Sequence, residues 1–118
     1  MPYLLLIHEP QGQRATRSQA EGEVAYARML EFGSSLKARG LLLAAESLLS
    51  QDASAARVQV RGGKPQVLDG PFAEAKEMVG GFFLVDCATR DEALAIAGEC
   101  PAAAWATVEV RGLGPCFA

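Results

Sequence analysis

Two stretches of this chain, Tyr3-Leu4-Leu5-Leu6-Ile7 and Phe82-Phe83-Leu84-Val85, carry apolar side chains at every consecutive position. Successive side chains of an extended strand point to opposite faces, so an unbroken apolar run reads as a strand that needs cover on both sides. Any fold that contains these two runs must therefore bury a sheet from two directions.

The remaining elements supply cover for only one of them. Ser18-Gln19-Ala20-Glu21 is a capping box, in which the serine side chain accepts from the Glu21 amide and the glutamate reaches back, and it predicts a helix start. Tyr26, Met29, Leu30, Gly33 and Leu36 recur at three- and four-residue steps as the apolar stripe of that helix, and Gly40 is a left-handed stop. Thr89-Arg90-Asp91-Glu92 reads as a second capping box, followed by the stripe Ala93, Ile96, Ala97, Cys100 and an end before Pro101. Leu41 to Leu49 reads as a strand and loop, with a helical turn left open at Ala44-Ala45-Glu46. Arg57 to Arg61 and Lys64 to Leu68 flank Gly62-Gly63 as a hairpin. Pro71 is expected to open a helical turn over Phe72 to Met78, with Gly80-Gly81 as punctuation before the second central strand. Ala106 to Arg111 alternates as the last strand.

This order predicts an α+β fold with a ferredoxin-like antiparallel sheet and both helices on one face. The second face then needs a cover from outside. A second copy of the same sheet provides it with one self-complementary surface, so a homodimer pairing sheet to sheet is expected.

With 118 residues, half of them apolar, the chain is expected to form one domain over 1–118. A net charge of −3 without a basic cluster argues against a nucleic-acid surface or polybasic membrane docking. MPYLLLIHEP has no basic segment before its short apolar run, which argues against a signal peptide and makes the cytoplasm the expected location. Cys87, Cys100 and Cys116 are widely spaced and His8 is the only histidine, a pattern that suits neither a disulfide framework nor a metal cage. Neither metal nor organic cofactor is expected.

Few side chains remain to carry chemistry. His8 ends the first strand, where a cleft opens in folds of this kind, and is the one side chain suited without perturbation to acid-base work near neutrality; the alternative is a strand-end histidine bonded to backbone or water. Asp69, in Asp69-Gly70-Pro71-Phe72, is either a pocket carboxylate or a turn former, with Gly70 in an unusual φ, Pro71 opening the next turn and Phe72 anchoring it. Lys76 and Glu77 read as a solvated face. Glu109 and Arg111 share a face with Thr107, opposite Val108 and Val110, and suit either an anionic ligand or a dimer salt bridge. Asp86 is a weaker ligand candidate. Trp105 and the cysteines read as packing residues.

Asp69-Gly70-Pro71-Phe72-Ala73-Glu74-Ala75-Lys76-Glu77, then Gly80-Gly81-Phe82, the helix DEALAIA, Cys100-Pro101 and Val108-Glu109-Val110-Arg111, closely resemble the DGPF branch of the YCII-related proteins. The match runs from about residue 57 to 111, with the opening PYLLLIH and first helix fitting more loosely. The resemblance implies a dimeric α+β barrel and small bacterial proteins associated with extracytoplasmic-function sigma factors. A dehydrochlorinase of the wider group uses a histidine on the first helix and an aspartate before a proline; here that helix has no histidine and Cys100 precedes Pro101, so the pair does not carry over. Three readings follow. The first is a cofactor-free enzyme or small-molecule binder in the dimer cleft, with His8 as acid or base and Arg111 holding an anion. The second is a non-catalytic regulatory or binding protein acting with a sigma-factor system. The third, a cofactor-free oxygenase, rests on fold analogy alone.

Overall fold

Leu5, Ile7 and Glu9 turn to one side of the first strand and Leu4, Leu6 and His8 to the other, and the molecule is built around that division. The computed structural model describes residues 1–118. Its order is β1 (Pro2–Pro10), a 3-10 turn (Arg14–Thr16), α1 (Gln19–Ala38), β2 (Leu42–Ser47), β3 (Ala56–Arg61), β4 (Lys64–Asp69), β5 (Glu77–Asp86), α2 (Arg90–Glu99), a second 3-10 turn (Pro101–Ala104) and β6 (Thr107–Gly112). β2, β5, β1 and β6 lie in that order in one four-stranded sheet, each neighbouring pair antiparallel, and β3 with β4 forms a separate hairpin. The fold is α+β, with two helices against an antiparallel sheet.

On one face Leu5, Ile7, Phe83 and Val85 meet Phe32 and Leu36 of α1 and Ala93, Ile96 and Ala97 of α2 in a single core cluster. Phe32 packs edge-on against Phe83 with ring centroids 5.0 Å apart. Leu4, Leu6, Phe82 and Leu84 point the other way, stay half-buried and lie outside that cluster. The molecule measures 46 × 42 × 19 Å, a thickness that one helix layer on one sheet already fills, since a helix with its side chains is about 10–12 Å across.

Both helix starts are capped, though differently. At α1 the Ser18 hydroxyl accepts from the Glu21 amide and the Glu21 carboxylate accepts from the Ser18 amide, the full reciprocal box. Those bonds to Ser18 hold the Glu21 carboxyl below its usual range; what they add to stability is present above the unfolded carboxyl's pKa and is lost as pH falls through the lowered one. At α2 Thr89 accepts from Glu92, but Glu92 turns its carboxylate to the Ala88 amide, so the expected second box is half formed. α1 ends before Gly40, whose φ of +71° is the expected left-handed stop.

Three expectations need correction. In α1 the buried residues are Phe32, Gly33 and Leu36, while Tyr26 and Leu30 are exposed, because only the C-terminal half of the helix rests on the sheet. Pro71 is followed by a single turn, in which the Ala75 amide donates to the Phe72 carbonyl, and it does not run on to Met78 because β5 starts at Glu77. Gly80-Gly81 therefore lies inside a strand and marks a bulge, where Ile7 pairs with Gly81 and His8 with Val79. Cys116 is exposed, unlike Cys87 and Cys100, which are buried. Desolvation raises both buried thiols above the ordinary range, keeping them protonated and unreactive at neutral pH. A disulfide reagent should label one thiol per native chain quickly and the other two only on unfolding; fast labelling of all three would contradict this burial.

Candidate functional site

Where the N-terminal half of α1 lifts from the sheet, it leaves a cavity of about 630 Å³, within the roughly 300–1,000 Å³ typical of small-molecule sites. Tyr26, Met29 and Leu30 of α1, Phe83 of β5 and Trp105 give it apolar walls. Its polar end is built on Glu9, which shares the core face with Leu5 and Ile7 and is only 5% exposed. Arg14, on the 3-10 turn after β1, donates Nε–H to Glu9 Oε1 at 2.5 Å, Nη1–H to the Leu48 carbonyl at 2.8 Å and Nη2–H to the Gly80 carbonyl at 3.3 Å. A guanidinium has five N–H groups, so two remain for a ligand.

The glycines of β5 make room for this pair. A Cβ on Gly80 would sit 2.8 Å from the Glu9 carboxylate and 3.0 Å from Arg14 Nη2, and one on Gly81 would sit 2.8 Å from the Glu46 carbonyl. Arg17 stacks over Trp105 at 5.5 Å, and neither it nor Lys37, also at the cavity, makes an ion pair. Glu46 is in register with Phe82, whose side chain points to the opposite face of the sheet, so no acid side chain on this face balances Arg17 and Lys37.

His8 lies on the opposite face. Register places it beside Thr107, and Leu4 and Leu6 beside Arg111 and Glu109. The sheet thus joins three of the sequence candidates: His8 Nε2 is 2.7 Å from Glu109 Oε1, and Arg111 Nε is 3.7 Å from Glu109 Oε2. These side chains are 26% exposed for His8, 44% for Glu109 and 68% for Arg111. Within the chain, the partner of the histidine's Nε2 is the Glu109 carboxylate. It does not line the cavity beneath α1.

The other candidates stand apart. Asp86 pairs with Pro2 at the far end of β1, and its carboxylate lies 3.5 Å from the terminal ammonium; His8 is six positions further along the strand, about 20 Å at the usual rise per residue. Asp69 is exposed at the base of the hairpin and makes no side-chain hydrogen bond within the chain, so it is neither in the cavity nor bonded to its own turn. Gly70 has no positive φ; it is glycine because a Cβ would sit 2.9 Å from the Gln51 carbonyl and 3.1 Å from that of Ala55. Pro71 follows it and Phe72, 5% exposed, anchors the loop with the Arg57 guanidinium 3.8 Å over its ring. Lys76 and Glu77 are exposed as expected. Gly70→Ala should cost about 1–3 kcal/mol because backbone must move, whereas Asp69→Ala should stay within about 0.5 kcal/mol of wild type. Thermal melts of the two variants check this ranking, and a larger loss at Asp69 would reverse it.

Sequence reasoning missed Glu9 and Arg14. The signal was present, since Glu9 has the parity of Leu5 and Ile7 and was bound to share their buried face. No three His, Cys, Asp or Glu side chains converge to hold a metal ion, and no helix is long and apolar enough to cross a membrane.

The family model of the YCII-related domain matches residues 1–115. An uncharacterized protein of Rhizobium meliloti (strain 1021) is 50% identical over 46 residues, a match covering 39% of this chain and 37% of that relative.

Proposed function

The chain belongs to the YCII-related family, and on that premise we propose that it binds an amphipathic, anion-headed small molecule in the cavity beneath α1 and works as a homodimer. The observation that carries the ligand reading is the cavity's construction: apolar walls around a buried carboxylate already neutralised by Arg14, with Arg17 and Lys37 left unpaired. An apolar body is favoured by the walls, and a carboxylate or similar head by the unpaired cations and the two unassigned N–H groups of Arg14.

The dimer is supported by the half-buried stripe Leu4, Leu6, Phe82 and Leu84, which no element of the chain brings into the core. The strand order β2-β5-β1-β6 favours a ferredoxin-like reading of the sheet, and two such sheets pairing face to face would make a dimeric α+β barrel. In that arrangement His8, Glu109 and Arg111 would line its interior. A second reading places acid-base work there, resting on the 2.7 Å contact that orients the imidazole against a carboxylate.

Trp105, the only tryptophan, reports on the cavity. Titration with octanoate should change its emission saturably, and octylammonium should bind at least tenfold more weakly. Gly22→Leu should abolish the response, because Gly22 lines the cavity and a Cβ there meets nothing within 4 Å. An equal response to both amphiphiles, or an unchanged response in the variant, would overturn the assignment.

A further inference from the structure

The β3–β4 hairpin is the part of the fold that burial does not explain. Every residue from Ala56 to Asp69 is exposed, and its two strands bond to each other and not to the main sheet. Hairpins of two strands are at best marginally stable alone. Pairing of Val58 with Val67 and Val60 with Pro65 gathers these four and Ala56 on one face, with Asp69 opposite Ala56 at its root and Val58 64%, Val60 58% and Val67 64% exposed. Arg57, Gln59, Arg61, Lys64 and Gln66 occupy the other, broken only by Leu68. The hairpin is an amphipathic arm whose apolar face is bare.

Its charge indicates what covers that face. Residues 56–69 hold three bases and one acid, a net +2, while the whole chain carries −3, which leaves −5 for the rest. Arg57 is held at the arm's root by Glu74 and the Phe72 ring, but Arg61 and Lys64 beside the turn make no ion pair. The body offers the complement, with Glu46 an unpaired acid at the rim of the uncovered stripe, in register with Phe82. A basic-tipped apolar arm and an acid-rimmed apolar face on one molecule are self-complementary across a two-fold axis, where each contact is made twice.

We propose that the β3–β4 arm of each chain docks by its valine face on the body of a second copy, with Arg61 and Lys64 steering it onto acidic surface. This rests on the homodimer proposed above and adds a contact that sheet pairing alone does not contain.

The test measures dimer dissociation by sedimentation equilibrium and arm protection by hydrogen exchange, on the full chain. Replacing Val58, Val60 and Val67 together by threonine keeps β-branching and removes the apolar face. This triple variant should raise the dimer Kd at least tenfold. Arg61→Glu with Lys64→Glu should raise it about as much at low salt and less at high salt. In the unaltered protein, amide protection across β3 and β4 should appear above the dimer Kd and vanish on dilution, which keeps the proposal testable if the triple variant fails to fold. A dimer whose Kd is within twofold of wild type in both variants would overturn the arm and leave sheet pairing standing. A protein monomeric at all concentrations would overturn both, and arm protection that is independent of concentration would overturn the second copy as its cover.

Discussion

Replacing Arg14 with leucine should lower unfolding stability by about 2–4 kcal/mol, somewhat below the roughly 3–5 kcal/mol for breaking a fully buried pair, because the guanidinium side keeps some contact with solvent. The Arg14 side chain is 33% exposed and that of Glu9 7%. Glu9 would remain as a buried carboxylate without its cation, and the Leu48 and Gly80 carbonyls would each lose a donor. Removing the charge as well, in a Glu9→Leu, Arg14→Leu double variant, should recover much of the loss, since apolar replacement of a whole buried pair is often close to neutral. Urea unfolding of the three proteins measures this. A single variant as stable as wild type would mean that the pair does not hold the end of the cavity.

A comparably large effect is expected at Gly81. Alanine there brings a Cβ to 2.8 Å from the Glu46 carbonyl and 3.5 Å from Ser47 Cα, both backbone atoms of β2, so the strand itself must shift. Overpacking of this kind costs typically about 1–3 kcal/mol and sometimes more, and the displaced strand also borders the cavity, so octanoate binding should fall with it. Gly98 in α2 is the control: it is exposed, and a Cβ meets nothing within 4 Å. Gly98→Ala should therefore stabilise by about 0.4–1 kcal/mol through the unfolded chain. The two glycine variants moving in the same direction on chemical denaturation would refute this account of why β5 carries glycine.

The elements governed by local chemistry were legible in the sequence. Ser18 and Glu21 announce α1, Gly40 ends it, Gly62-Gly63 turns the hairpin, and the shared face of Thr107, Glu109 and Arg111 follows from strand alternation. Those that depend on how elements sit against one another were not. Tyr26 and Leu30 have the spacing of a core stripe, but periodicity cannot say that half of α1 stands clear of the sheet and turns those side chains into cavity lining. Gly80-Gly81 looked like a break because glycine often ends a strand. Here it lies within one, where a carboxylate, a guanidinium and a neighbouring carbonyl approach too closely for any side chain. Glu9 stood one residue beyond the histidine that drew attention, on the face that alternation assigns to the interior.

His8 and Glu9, adjacent in β1, make that strand a partition between two compartments. Their side chains enter opposite spaces, so substitutions at 8 alter the uncovered face of the sheet while leaving the cavity's carboxylate in place, and the reverse holds at 9. The peptide unit between them is common property, fixed by pairing to β5 on one flank and β6 on the other. Side-chain changes are therefore separable across the wall, whereas a backbone change such as proline at position 8 would be felt in both rooms at once.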